Sequence, residues 1–329
     1  MICLQRGKAT CLFAIFHRKE SSVKPRKNSN RSEFMRSRIQ QGNLFLLPAL
    51  LFTTALMTAP LVYVIILSFN KWNGSKAEAL KYVGFDNYIK LWDMAGFKDM
   101  AKFTIVFSVA TTFLVVILSL LLAFALDTPT DRKHVNRPFL RSCWYIPTLI
   151  GGMAVGIVWR IMYNTNNGII NTVLSVFGIP KIDWLQTHGV AGIAVIIAEV
   201  WVMLGLNIVI FLAGLQGVPQ ELYESAELAG ATKWQKRIFI TLPQIMPTIT
   251  VVLISTSIAS FKAYELPYTI TQGMPGYSTR LVTQMIQEYS FQDLNYGAGA
   301  ALSVILTILI IIIQLVQLVV LNKKEEDFN

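Results

Sequence analysis

Long apolar blocks alternate with shorter polar ones along this chain. Apolar runs of the roughly 20 residues needed to cross hydrocarbon occur near 43–69, 101–126, 140–164, 190–216, 246–268 and 298–321, and they predict six transmembrane helices. The third and fourth are the least clean, because Arg160 and Glu199 interrupt them. Between the fourth and fifth lies a polar island, Pro219 to Pro243, with its own grammar. Pro219 suits a first helical position, where a missing N–H costs nothing. Glu221, Glu224 and Leu228 then share one face at helical spacing. Gly230 can end that helix in a left-handed conformation closed to most residues. Thr232, with Gln235 three positions on, reads as a capping box that opens a second helix. Pro243 is expected to stop it, since the residue before a proline resists the α region.

Composition sharpens this picture. Hydrophobic residues make up 53% of the 329 residues and charged residues only 15%, where a soluble domain carries nearer a quarter. The reading is therefore one membrane domain at 43–321, between a basic, disordered tail at 1–42 and a short tail at 322–329. Orientation follows from Lys and Arg placement. With both termini inside, the inner segments 1–42, 127–141, 217–245 and 322–329 hold 10, 4, 3 and 2 basic residues, against 7 in the outer segments. The polar island then faces the cytoplasm. A net charge of +10 could suggest nucleic acid, but ten basic residues sit in the N-terminal tail. Attraction to anionic inner-leaflet lipid is the simpler account. The run Cys11 to Phe16 is too short for a signal-peptide core, and Met35 is an alternative start.

Catalytic chemistry has no foothold. There is no Gly-x4-Gly-Lys-Ser/Thr loop to cradle phosphates, and Gly7-Lys8 is the nearest fragment. No Ser-His-Asp spacing, His-Glu-x-x-His or paired carboxylates occur in the loops. Cys3, Cys11 and Cys143 form neither a disulfide framework nor a metal site, and His17, His134 and His188 are isolated.

The island resembles the cytoplasmic signature of inner-membrane permease subunits of binding-protein-dependent ABC importers. That signature is Glu-Ala-Ala, three residues, Gly, nine residues, then Ile-x-Leu-Pro. Glu224-Ser225-Ala226, Gly230 and Ile240-x-Leu242-Pro243 fit it, with Ser225 for the first Ala as the one departure. Further pieces are similar to carbohydrate permeases of the maltose and glycerol-phosphate type: Tyr82 to Tyr88, Tyr145 to Arg160, Gly168 to Asn171, and Phe261 to Ala301. Where that group often has Gly-Gly-Pro, this chain has Gly273-Met274-Pro275. The resemblance covers about 43–321.

It implies an all-α membrane protein of six transmembrane helices with both termini cytoplasmic and a two-helix cytoplasmic coupling loop at 217–245. It implies a multi-pass location in a bacterial inner membrane, and import of a sugar or oligosaccharide. The implied partners are a second homologous permease, two ATP-binding cassette subunits and an extracytoplasmic solute-binding protein. This chain would bind no cofactor, with ATP and magnesium held by the partner ATPase. Glu221, Glu224, Ser225, Ala226, Leu228, Gly230, Ile240, Leu242 and Pro243 would form the ATPase-docking surface. Rival readings are a permease for phosphate esters, amino acids or polyamines, and a channel or sensor that needs no ATPase.

Charged residues inside spans are functional candidates. At 1.5 Å per residue, Lys262 lies roughly 24 Å into the fifth span from the cytoplasm and Glu199 roughly 14 Å into the fourth from outside. They could pair with each other. Alternatively Lys262, Glu199, Tyr264, Ser257 and Ser260 line a polar cavity for substrate hydroxyls or a carboxylate. Trp201, Tyr264 and Tyr268 could supply the aromatic faces that sugars stack on, or serve as belt anchors. Lys262 and Arg160 tilt the reading toward an acidic saccharide. Glu265 and Arg160 near the outer ends are explained by snorkelling. Gly151-Gly152-x3-Gly156 permits close helix packing, either within this chain or against a partner permease.

Overall fold

The computed structural model describes residues 46–75, 79–94, 96–127 and 137–328, with 137–141 and 322–328 by backbone alone. The basic tail, His134 and most of the segment 127–141 fall outside the described residues. The helices are α1 (Leu46–Ser68), α2 (Asp86–Trp92), α3 (Phe97–Leu126), α4 (Arg137–Leu149), α5 (Gly152–Met162), α6 (Ile169–Val176) and α7 (Val190–Gln216). Then come α8 (Gln220–Leu228), α9 (Lys233–Gln244), α10 (Met246–Phe261), α11 (Glu265–Thr271), α12 (Val282–Gln287) and α13 (Tyr296–Phe328). Two short strands, β1 (Asn70–Lys71) and β2 (Lys81–Tyr82), pair antiparallel with Asn70 opposite Tyr82. Contacts divide the chain at Val62/Tyr63 into two units. In the first, every described side chain from Leu46 to Val62 is exposed.

Among the described residues four helices are long and apolar enough to cross a membrane: α1, α3, α7 and α13 as far as Leu321. The number rises to six if each of two bent pairs counts as one span. The third and fifth expected spans are not single straight helices over their expected lengths. The third expected span, 140–164, is broken at Ile150–Gly151 and bent by 104°. Gly151 there is extended, at φ −58° and ψ 140°. The fifth, 246–268, ends at Phe261. Tyr264 leaves the helix at φ −142° and ψ −60°, and the freed carbonyl of Ala263 accepts the Thr283 hydroxyl at 2.6 Å. Irregular backbone at membrane depth survives where protein supplies the missing partner. The sixth span begins at Tyr296 and stays helical through Phe328, so no break separates it from the expected tail at 322.

In the second unit α7 is the enclosed helix. Ala191, Ala194 and Ala198 are fully buried, as are Ile208 and Phe211. Small residues let neighbouring helices approach closely in a membrane, and α3 uses that approach: its Phe107 joins Ala194 and Ala198, and its Val115 joins Ile208. The glycine seam of α5 is intramolecular. A Cβ on Gly156 would lie 2.7 Å from the Thr269 side chain and 3.2 Å from the Leu266 carbonyl, and one on Gly152 would lie 3.1 Å from Glu265 Cβ. Thus α5 rests directly on α11. At the end of the bundle where α3 begins, Asn87 donates to the Ser68 carbonyl (2.8 Å) and the Asn70 carbonyl (3.0 Å). Tyr88 donates to Ser68 Oγ at 2.7 Å, and the Tyr296 amide to the Trp72 carbonyl.

Candidate functional site

The polar island folds as two helices joined by a tight turn. Pro219 is the residue that caps α8, at φ −57° and ψ 130°, one position earlier than its expected place inside the helix. At the other end Gly230 sits at φ 78°. Its amide donates to the Glu227 carbonyl and that of Ala231 to the Ala226 carbonyl, both at 2.9 Å. These two bonds close the helix end in the Schellman pattern, which needs a left-handed residue where Gly230 stands. The capping box is complete: Thr232 Oγ1 accepts from the Gln235 amide (3.3 Å), and the Thr232 amide donates to Gln235 Oε1 (2.7 Å).

Pro243 does not end the second helix. α9 runs through it, and the 66° bend follows at Ile245. A π turn at Arg237–Thr241, closed by the Leu242 amide onto the Arg237 carbonyl, loosens the ladder just ahead of the proline. Proline removes a helical donor and crowds the preceding turn, so a widened turn there relieves both problems.

Glu221, Glu224, Ser225, Leu228, Gly230 and Leu242 are exposed, with Leu228 at 92%. Ala226, Ile240 and Pro243 are half-buried. The Ser225 hydroxyl donates back to the Glu221 carbonyl at 2.8 Å, so the departure from Ala is satisfied locally. The residues that hold the hairpin were not singled out in the sequence. Tyr223 and Thr241 share a hydrogen bond of 2.8 Å. Lys236 pairs with Glu227. Arg237 Nη2 donates to the Phe124 carbonyl at 3.0 Å, and its guanidinium lies 5.4 Å over the Phe124 ring and 5.6 Å over Trp234. Phe124 belongs to the last turn of α3. Carbonyls there lack helical partners and favour a cation. Nothing in the local sequence could have flagged a contact 113 residues away.

The intramembrane candidates divide. Glu199 on α7 is only 7% exposed, and its Oε2 has no hydrogen-bond partner. Lys262 is exposed at the end of α10, and the expected Lys262–Glu199 ion pair is not formed. Lys262 follows the last turn of α10 with its side chain exposed, whereas Glu199 is buried within α7's packing. Ser257 and Ser260, both buried, turn to different neighbours. Ser257 accepts from Gln314 and Gln317 of α13 at 3.2 and 3.3 Å, while Ser260 faces Met203 Sδ of α7 at 3.9 Å. Trp201 meets Trp159 edge to face at 5.7 Å, and Tyr264 stacks on Tyr268 at 5.4 Å.

The sequence reading also passed over Asn207, which accepts from Thr256 Oγ1 at 3.2 Å, and the buried hydroxyls of Ser108, Thr111 and Thr112, which have no partner. Polar residues interrupting apolar spans were the available signal. Ser108, Thr112, Ser257 and Gln317 line a cavity of about 310 Å³ walled by apolar side chains such as Phe113 and Ile313.

Long apolar helices, two bent apolar helix pairs and a polar hairpin fastened to the bundle define an integral membrane component of the permease kind. The chain belongs to the family of binding-protein-dependent transport system inner membrane components, matched over residues 94–325. It is 30% identical over 283 residues to a probable starch degradation products transport system permease protein of Thermoanaerobacterium thermosulfurigenes, covering 86% of this chain and 94% of that one. It is 30% identical over 264 residues to the trehalose/maltose transport system permease protein of Thermococcus litoralis, covering 80% and 88%. Its fold is similar to that of a chain in the crystal structure of a bacterial ABC transporter involved in the import of the acidic polysaccharide alginate. There the TM-score is 0.75 at 21% identity, over 89% of this chain and 99% of the other. The chain is thus a transporter permease of the inner membrane and not itself an enzyme, and it works in a system with a binding protein.

Proposed function

We propose that this chain is the permease subunit of an ABC importer for a sugar or oligosaccharide. The substrate class is supported by the relatives named for starch degradation products and for trehalose and maltose, each aligned over most of this chain. On this reading the two bent pairs are spans, which makes six, and both termini are cytoplasmic. The chain works with a second homologous permease, two ATPase subunits and an extracytoplasmic binding protein. ATP and magnesium stay on the ATPase.

The observation that carries the mechanism is the hairpin. Its turn and cap are fixed locally, its outer face offers Glu221, Glu224 and Leu228, and Arg237 fastens it to α3. ATPase closure would draw such hairpins together and bias the bundle from inward-open to outward-open. A partner can do that only by binding the two states differently, and a near-complete switch needs about 5.5 kcal/mol. A stiff handle delivers that difference better than a loop. The substrate path is assigned to the α7–α10 side, with Glu199, Trp201, Ser260 and Tyr264 toward the solute. Lys262 stands at its rim, and Ser257 supports the wall through α13.

The test is uptake and ATP hydrolysis by the whole importer in proteoliposomes, with a panel of neutral and acidic oligosaccharides alongside polyamines and phosphate esters. Glu224→Lys and Gly230→Asp should abolish uptake while leaving the chain inserted. Normal uptake in either variant overturns the docking assignment, and uptake confined to a non-sugar overturns the substrate class.

A further inference from the structure

Around the axis of α2 and the residue before it, three kinds of side chain occupy three sectors, at about 100° per residue. Asn87 and Leu91 are buried against the bundle, Leu91 at 1% exposure. Asp86 and Lys90 form an exposed ion pair on a second sector. Phe85, Ile89 and Trp92 occupy the third, each more than 60% exposed, and Tyr82 of β2 is 74% exposed. A surface helix with one protein face and one watery face leaves no reason for three large apolar side chains on the remaining one.

Its depth is fixed. Asn87 bonds to the carbonyls of Ser68 and Asn70, where α1 ends, and Leu91 joins the cluster of Phe97 and Met100 at the start of α3. The helix therefore lies level with the last turn of α1, where Ile65 and Ile66 are exposed. In a membrane component that is the edge of the hydrocarbon, continuous with the lipid-facing surface.

We propose that α2 is an interfacial anchor, with Phe85, Ile89 and Trp92 seated at the acyl–headgroup boundary of the leaflet opposite the docking hairpin. Asp86 and Lys90 then face water. Aromatic residues favour that boundary, and an amphipathic helix lies along it with its apolar face inward. A helix this short would not bind lipid alone. Asn87 and Leu91 hold it in place, so its ordering cost is met by folding rather than by binding. The anchor holds whichever solute the importer carries.

The test uses the assembled importer in phosphatidylethanolamine–phosphatidylglycerol nanodiscs, with Cys3, Cys11 and Cys143 replaced by Ser. A spin label is attached at Ile89→Cys or, separately, at Lys90→Cys. The ratio of oxygen to nickel-chelate collision rates should be several-fold higher at 89 than at 90. Equal nickel access at both sites would put the face in water and overturn the anchor. A label at 89 shielded from both reagents would mean that another protein covers it, which overturns it too. A second readout avoids the label: lipids brominated near the headgroup should quench emission of the unmodified importer more than that of Trp92→Phe. No difference between the two would reject the seat.

Discussion

Apart from Arg237, which reaches back to Phe124, the polar side chains that close the hairpin find partners close by in sequence: Thr232 with Gln235, Glu227 with Lys236 nine residues on, Tyr223 with Thr241 eighteen on. In the bundle interior the distances are of another order. Asn207 meets Thr256 across 49 residues, and Ser257 meets Gln314 and Gln317 across 57 and 60. The hairpin can take shape as soon as it is made. The Asn207–Thr256 and Ser257–Gln314/Gln317 bonds form only once α7, α10 and α13 have packed, and the hydroxyls of Ser108, Thr111 and Thr112 stay unsatisfied even then. A rigid handle and an adaptable interior are what a machine driven from one end requires.

That contrast can be broken at its strongest point first. Glu224→Lys reverses an exposed charge on the outer face of α8 without touching an internal bond. Uptake should fall by more than about tenfold, equivalent to about 1.4 kcal/mol of coupling, while detergent melting curves stay unchanged. A large loss of stability instead would mean that the face is structural.

Next is the tie between handle and bundle. Arg237→Ala removes a hydrogen bond from a charged group, of a kind worth about 1.5–3 kcal/mol. Sugar delivered per ATP should drop several-fold with ATP hydrolysis retained, and Arg237→Lys should recover part of it. An unchanged ratio would argue that α3 receives nothing through this contact.

Inside the bundle, Thr256→Val leaves Asn207 Oδ1 buried without its donor and should cost about 1–3 kcal/mol. Adding Asn207→Leu should cost less than the sum of the two single changes, as expected for residues in contact. Thermal unfolding of the four proteins gives the cycle, and strict additivity would dissolve the pair. The smallest effect belongs to Thr232→Ala, which removes a helix cap at about 1 kcal/mol. Hydrogen exchange should rise at Lys233–Lys236 and not in α7, and a change in α7 would deny the hairpin its independence.

What could be read from the sequence follows the same division. The Schellman turn at Gly230 and the capping box at Thr232 were legible because their causes lie within five residues. The apolar blocks were legible because hydrocarbon demands length. The breaks have local signals that the apolar pattern overrode. Pro267 has no N–H to give the Ala263 carbonyl four residues back and crowds it, and the Thr283 hydroxyl takes up that carbonyl; the other break falls at the glycine pair Gly151-Gly152. Drawing the fifth span as one helix through Ala263 suggested a pair between Lys262 and Glu199. Pro243 misled in the opposite direction, since the π turn before it lets the helix pass. Trp201 has an aromatic neighbour, Trp159, that no local pattern foretold, whereas the stacking of Tyr264 on Tyr268 follows from their i,i+4 spacing.

Where Gly152 and Gly156 meet α11, the α5 main chain lies against the first atoms of the Glu265 and Thr269 side chains and close to the Leu266 backbone, with no room for a Cβ. A shift of the segment beyond Lys262 would therefore reach α5 undiminished. The halves beyond the two kinks would then travel together as a single shutter, hinged at Ile150–Gly151 on one side and at Lys262–Tyr264 on the other.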